Sequence, residues 1–259
     1  MEMPAHNDEP RSKWHGVREI IQFNWRFYLA GIIALAAGVV ALKLVAVGPV
    51  VKWLAWAGLG TAAFWMVMSV VASHWVYDRS IICKWKWIPG CLPQRPQRWA
   101  NIHAGLDESS PTLRKLFAGS RGEILDIFDP VEMTEASIAE ARRNPGNKLP
   151  ATRANLRELP LESGEFDALF LLFAAHEIRH DEPRARFFSE LNRLLKPGGR
   201  IVIAEQLRDW KNFIAYGPGC FHFQSRGTWH RAAVQAGLVI EKEFAITPFV
   251  RIFVLAKQR

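Results

Sequence analysis

The chain has 259 residues, 49% of them hydrophobic, eleven tryptophans and a formal net charge of +8. Residues 1–98 carry +6 of that charge (11 Lys/Arg against 5 Asp/Glu) and the rest only +2 (22 against 20). The larger part therefore has no basic face for nucleic acid, and the excess suits a membrane-proximal segment. Cys83, Cys91 and Cys220 lack C-x-x-C spacing and nearby His partners, which excludes a disulfide framework or a zinc ribbon and fits a reducing compartment.

Residues 1–26 read as a cytoplasmic tail. Within it, 12–26 (SKWHGVREIIQFNWR) suits either an interfacial amphipathic helix or a solvated basic segment. Two uncharged runs follow, FYLAGIIALAAGVVAL from Phe27 and WLAWAGLGTAAFWMVMSVVAS from Trp53. A helix needs about 20 mostly apolar residues to cross the hydrocarbon core, so 27–76 is expected to be a transmembrane hairpin turning at Gly48-Pro49. Arg11, Lys13, Arg18 and Arg26 precede the first run, and Arg79, Lys84, Lys86, Arg95 and Arg98 follow the second. Only Lys43 and Lys52 flank the turn, which places both termini and the rest of the chain on the cytoplasmic side. Trp14, Trp25, Trp75, Trp85 and Trp87 sit where an aromatic belt would lie. Gly31 with Gly38, or Gly58 with Gly60, would let spans pack closely, within the chain or in a homo-oligomer. PGCLPQRP (89–96) reads as part of a juxtamembrane linker, 77–97, ahead of a soluble domain at 98–259.

From Arg98 strands and helices alternate. WANIHAG, GEILDIFD, a weakly marked strand near ATRANL, FDALFLLFAA and GRIVIAEQ read as strands, the fourth apolar throughout as in a parallel sheet buried on both faces. SSPTLRKLF, MTEASIAEARR, EPRARFFSELNRLL and TWHRAAVQAGL read as helices, with the KPGG glycines ending the third. LVIEKEFAI and FVRIFVLAK close the chain as paired strands. The pattern is that of an α/β, Rossmann-like doubly wound sheet with ligands at the strand C-terminal ends.

Two motifs carry a resemblance: Pro160 to Asp167 (P-x-x-x-x-x-F-D) leading into strand four, and Leu195 to Ile201 (L-K-P-G-G-x-I) leading into strand five. With the segments around them they resemble the class I S-adenosylmethionine-dependent methyltransferases, over about residues 98–259. The resemblance implies seven strands with the last antiparallel, and S-adenosylmethionine across the ends of strands one, two and four. It assigns the first loop, Asn101 with His103, Ala104 and Gly105, to the cofactor. Asp129, with Asp126 as the other candidate, would bind the ribose. Asn155 and Leu156 would flank the adenine, and the segment Phe173, Ala174 to Glu177 would lie beside the sulfonium. The first loop departs from the family's glycine-rich pattern, with His103 and Asp107 at glycine positions. His103 could donate to the methionyl carboxylate, and Asp107 or Glu108 could receive the ammonium.

Methyl transfer needs a positioned acceptor and, for an acidic acceptor, a proton acceptor. His176, in HEIRH, and Tyr216 and His222, in the aromatic-rich stretch 212–226, are the candidate catalytic residues. Arg226 is a further possible contact, and Phe213, Phe221 and Phe223 suit an apolar acceptor. HEIRH matches the zinc-protease pattern H-E-x-x-H, but it follows a buried strand and precedes Pro183, so no metal is expected. A tether raises the concentration of an enzyme near membrane-resident acceptors. The expected activity is methylation of a lipidic acceptor, such as a phospholipid headgroup, a quinone precursor or another isoprenoid. The rival is a membrane scaffold with the same fold and no catalysis. A nicotinamide-dependent reductase is disfavoured by the missing G-x-G-x-x-G and Y-x-x-x-K patterns.

Overall fold

A computed structural model describes residues 12–143 and 149–258. The tail up to Arg11 lies outside them. Helix α1 (His15–Phe23) is followed by α2 (Trp25–Leu44) and α3 (Pro49–Ser73). The last two are long and apolar enough to cross a membrane. They form an antiparallel pair. Tyr28 Oη meets Ser69 Oγ at 3.2 Å, and a Cβ added at Gly31 or Gly38 would lie 2.9 Å from Met66 or 2.7 Å from Leu59. These two glycines therefore serve contact within the pair. Gly58 and Gly60 have nothing within 4 Å of that position. No residue of α2 is buried, and Phe27, Ile33, Trp53 and Val67 stand exposed, which is not how a core helix of a soluble domain is placed.

Helix α1 is docked rather than solvated. The Asp78 carboxylate accepts the N–H groups of Gly16 (2.6 Å) and Val17 (3.0 Å), satisfying orphan donors of its first turn. His74 Nδ1 lies 2.9 Å from the same carboxylate, and Trp14 stacks on the His74 ring. Helix α1 packs against α5 (Ala136–Arg143) and brings His15 within 3.6 Å of Glu108.

The sheet contains seven strands: β1 (Arg98–His103), β2 (Arg121–Asp126), β3 (Thr152–Arg153), β4 (Phe166–Leu172), β5 (Leu195–Gln206), β6 (Leu238–Thr247) and β7 (Val250–Lys257), in the order β3-β2-β1-β4-β5-β7-β6. Strands β1 to β5 are parallel, and β7 runs antiparallel to both β5 and β6. The remaining helices are α4 (Ser110–Leu116), α6 (Asp181–Leu194), α7 (Trp210–Tyr216) and α8 (Arg226–Gln235). The third strand is only a two-residue pairing, because both its residues are exposed and bury no apolar side chain.

The two motifs behind the resemblance have structural work. Asp167 accepts the N–H groups of Gln97 and Arg98 and pairs with Lys196 at 2.9 Å, tying the starts of β1, β4 and β5 together. The KPGG glycines do not end the helix. Helix α6 stops at Leu194, where Leu195 turns extended, and β5 begins at once. Gly199 sits in that strand with Cβ space closed by Leu195 and by the Phe166 and Asp167 carbonyls, beside the register shift between Phe166 and Ala168.

One sheet face carries α5, α6 and α8, with Ile138, Phe187, Phe188, Leu191 and Trp229 in its core. The other is covered by α4 and by short helical turns at His74–Arg79, Ile82–Lys84 and Ile88–Cys91. Val76, Ile82, Trp85, Ile88 and Cys91 are buried there against Phe170, Val202 and Val254. Residues 77–97 are thus part of the domain and not a free linker. The chain's aromatic and branched residues at this point close the part of the sheet face that α4 leaves open. Trp85 belongs to this core (3% exposed) and not to an aromatic belt.

Gly122 of β2 has a distinct reason to be glycine. A Cβ there would lie 2.2 Å from Trp99, which is fully buried in β1. Gly122→Ala is expected to lower unfolding stability by about 1–3 kcal/mol through overpacking, measurable as a reduced thermal midpoint in detergent.

Candidate functional site

The C-terminal ends of β1, β2, β4 and β5 meet at one edge, and loop residues gather there. After β1, the buried Asn101 donates through Nδ2 to Asp107 Oδ1 (3.1 Å), Ser109 Oγ (2.9 Å) and Ser110 Oγ (2.8 Å). Asp107 Oδ1 also accepts the Ser109 and Ser110 N–H groups and so holds the turn into α4. The aspartate at a family glycine position therefore organises the turn that glycines would otherwise make. His103 Nδ1 accepts the Gly105 N–H at 3.1 Å, which leaves the ring proton on Nε2. Ala104 is buried beneath. Gly105 has φ +136°, and a Cβ on it would lie 2.7 Å from Arg142. Arg142 fills that space, donates to both Asp126 oxygens (3.0 and 2.8 Å) and lies over the Phe128 ring.

Beside this loop, the ends of β2 and β3 border an open cleft of about 270 Å³ lined by Ile127, Phe128, Asp129, Pro130, Arg153, Ala154, Asn155 and Leu156. Asp129, Asn155 and Leu156, three separate sequence candidates, share this one pocket. Asp126 does not line it, being held by Arg142 and by the Phe128 N–H. Asp129 Oδ1 accepts the Val131 N–H and shapes the rim.

After β4 the chain makes a tight turn. Phe173 has φ +57° and its ring packs on Tyr77 and Trp85 in the second core, so it faces away from the edge. Ala174 is buried, and a single helical turn, Ala175–Glu177, presents His176 and Glu177. Buried Arg184 holds the following loop by donating to the Ile178 and Arg179 carbonyls. His176 Nδ1 lies 2.7 Å from Glu205 Oε2, and His176 Nε2 lies 3.3 Å from Glu177 Oε1. Glu205, fully buried at the end of β5, also accepts the Ala175 and His176 N–H groups through Oε1. Burial alone would lower the His176 pKa, but Glu205 and Glu177 raise it to about 10. It is an imidazolium donating from both nitrogens.

His222 comes from the far side and its ring centre lies 5.1 Å from that of His176. Arg179 donates to His222 Nδ1 and to Glu135, so neutral His222 carries its proton on Nε2. Burial, then the charges of His176 and Arg179, lower His222 to about 4. Glu177 is held below the usual carboxylate range: burial opposes this, and His176 overcomes it. Ligand atoms of His176, Glu177 and His222 lie within 4.8 Å of one another, a spacing a metal ion could use. The imidazolium and the Arg179 guanidinium bring two positive charges to this space. With Glu135, Glu177 and Glu205 the cluster carries one negative charge in excess.

Among the described residues, Asn101 Oδ1, Asp107 Oδ2 and Glu177 Oε2 are buried without a hydrogen-bond partner. All three are acceptors, and an N–H donor of a ligand would satisfy each of them.

Tyr216 does not join the cluster as a base. Its hydroxyl accepts from Gln206 Nε2 at 2.9 Å, and burial pushes its pKa to about 12. Arg226 is bound by Glu243, and His180 stands before α6, outside the cluster. Sequence reading missed Glu205, Arg179 and Glu135. Glu205 had a usable signal, a carboxylate ending an apolar strand run, whereas the other two become functional only through folding.

The two histidines impose opposite pH dependences on stability. His176 is raised from its ordinary 6.5, so its contribution is complete below that pH and is lost as pH rises toward about 10. His222 is depressed, so the unfolded chain binds the extra proton between about 6.5 and 4 and stability falls as pH falls through that window. Thermal midpoints are expected to peak near neutrality and to decline on both sides.

Comparison with known proteins places these features. Residues 121–203 match the family model described as Methyltransferase domain. The chain is 35% identical over 82 residues to the ubiquinone/menaquinone biosynthesis C-methyltransferase UbiE of Rhizobium johnstonii, and 36% over 83 residues to UbiE of Rhizobium etli. Each match covers 32% of this chain, which spans only 30% of the length of these relatives. Among solved structures, the PH0226 protein of Pyrococcus horikoshii aligns with a TM-score of 0.50 at 14% identity, over 69% of this chain and 89% of that one. The complex between the Haloferax volcanii Trm112 methyltransferase activator and a proposed methyltransferase aligns with a TM-score of 0.51 at 16% identity, over 71% and 92%. At these identities the structures speak for the fold.

Proposed function

We propose that this chain, whose soluble domain belongs to the class I S-adenosylmethionine-dependent methyltransferase family, is a membrane-anchored methyltransferase acting on a lipidic acceptor. One observation carries the reading. The acid–base cluster at the ends of β4 and β5 is completed by His222, and His222 ends the turn Gly217–His222, which follows α7 on the apolar helix α3 and meets Trp65 of that helix through Gly217. Helices α2 and α3 serve as the spans, with the catalytic domain and both termini cytoplasmic. The matched part of the UbiE relatives makes a quinone-type acceptor the first to test, ahead of other isoprenoids and phospholipid headgroups.

The residues fit the cofactor. Asp107 Oδ2 and Asn101 Oδ1 suit the methionyl ammonium, His103 Nε2–H suits the carboxylate, and the cavity at Asp129, Asn155 and Leu156 suits ribose and adenine. S-adenosylmethionine has no phosphate to cradle, so a loop with one glycine meets its needs. When bound, it supplies a methyl group activated by a positive sulfonium, and the cluster's negative excess favours that charge. His222 Nε2–H would hold an oxygen of the acceptor, and Glu177 Oε2 would take its proton. His176 acts as a positioning residue, fixing Glu177 from one nitrogen while Glu205 fixes it from the other.

Asp129→Ala is expected to weaken cofactor binding by at least about tenfold, the effect of losing a charge-assisted hydrogen-bond pair. Asp126→Ala should act less, through release of Arg142. Equilibrium binding of S-adenosylhomocysteine to the two variants separates these roles. The activity is tested by incubating the detergent-solubilised protein with methyl-labelled S-adenosylmethionine and a panel of short-chain quinols, isoprenoid phenols and phospholipids. Label in an extracted lipid supports the proposal. Cofactor binding without label in any lipid class would turn it toward the scaffold reading.

A further inference from the structure

We propose that α7 and the turn after it, Gly217–His222, form a bilayer-inserted element through which the acceptor passes from the membrane to His222; this rests on reading α2 and α3 as spans. Helix α7 leans on α3. The Phe213 ring meets Trp65 edge-on at 5.3 Å, and the Gly217 backbone touches Trp65 so closely that a Cβ there would lie 2.5 Å from its ring. Trp65 lies within the apolar length of α3, two turns before its end at Ser73. The element is therefore at the depth of a span and not above it.

Its outer side matches that depth. Trp210, Phe213 and Ile214, at i, i+3 and i+4, form one face of α7 and are exposed, while Asn212 and Ala215 face inward and are buried. Phe221 stands 61% exposed in the following turn, and its ring meets Phe213 at 6.3 Å. Trp210, Phe213, Ile214 and Phe221 so grouped make one exposed apolar surface next to Trp65 of α3. Arg208 and Lys211 flank it with the positive charge that anionic headgroups attract. These features commit the surface to the lipid of the cytoplasmic leaflet. The inner side of the same short segment carries His222, with Phe223 against both His176 and His222. A tail dissolved in the leaflet thus lies one segment's thickness from the reacting group, and the acceptor need not leave the bilayer.

The test uses spin labels in the full-length protein in phospholipid nanodiscs. A nitroxide is placed at Ile214→Cys, Val67→Cys and Glu162→Cys in a Cys83→Ser background, Cys91 and Cys220 being buried. Collisions with oxygen, which partitions into lipid, and with a water-soluble nickel chelate are compared. The proposal expects oxygen to dominate at both 214 and 67, and the chelate at 162. Chelate dominance at 214 with oxygen dominance at 67 overturns the proposal and leaves the spans intact. Chelate dominance at both overturns the span reading itself. Shielding of 214 from both reagents means a protein partner covers the surface, and also overturns it.

Discussion

Glu205→Gln is expected to reduce methyl transfer by about 10²-fold or more, the scale of losing a positioned acid–base group, while cofactor affinity changes little. The glutamine keeps the shape of the side chain, and its carbonyl still accepts the Ala175 and His176 N–H groups that Glu205 Oε1 now accepts. Its amide, however, places an N–H against His176 Nδ1 where a carboxylate oxygen now stands at 2.7 Å. His176 must give up that proton, and the positive charge beside Glu177 goes with it, although Nε2–H still donates to Glu177. Two readouts follow. The His176 ring, titrating near 10 in the parent, should titrate several units lower by NMR. The alkaline decline in thermal midpoint should flatten, because the group whose proton affinity folding raised no longer differs as much from the unfolded chain. A structural role for Glu205 alone would lower stability without moving the His176 titration. An unchanged titration and an unchanged rate contradict the assignment.

The second large effect concerns where the domain begins. A chain starting at Arg98, the boundary the composition suggests, should not fold. It lacks Val76, Ile82, Trp85 and Ile88, each buried against the second sheet face. Fully burying a side chain of this size contributes about 1.5–3 kcal/mol, so the loss is comparable to the whole stability of an ordinary domain, about 5–15 kcal/mol. A chain starting at His74 keeps this cover and should unfold cooperatively. Circular dichroism and thermal melts of the two distinguish them. A cooperative transition in the shorter chain would show the turns between His74 and Cys91 to be dispensable.

The same contrast shows what the sequence discloses and what it hides. Strands β4 and β5 are legible because a parallel strand buried on both faces is apolar throughout, as in FDALFLLF and RIVIAE. Seven strands with the last antiparallel were implied by the resemblance that the motifs at Asp167 and Leu195 to Ile201 carry, motifs now seen to bind the strand starts to each other, whereas the strand order is read from the structure. The cavity at Asp129, Asn155 and Leu156 gathers residues whose roles could be named one by one before their meeting was visible. The turns after α3 were not legible. Proline and glycine in PGCLP break regular helix, and that local signal says nothing of whether Ile88 and Cys91 are buried. The engagement of Tyr216 by Gln206 and of His222 by Arg179 depends on contacts between distant segments, which no spacing rule reports.

The central claim is that an acceptor-rich loop with one glycine, its aspartate holding the turn into α4, still receives S-adenosylmethionine. The most direct measurement is calorimetric titration of the detergent-solubilised full-length protein with S-adenosylmethionine and S-adenosylhomocysteine, with Asp129→Ala in parallel and thermal shift as a second readout independent of binding enthalpy. The account predicts saturable binding at a single site, weakened in the variant. No heat, and no thermal stabilisation at millimolar ligand, would contradict it and leave the domain as a membrane-tethered scaffold.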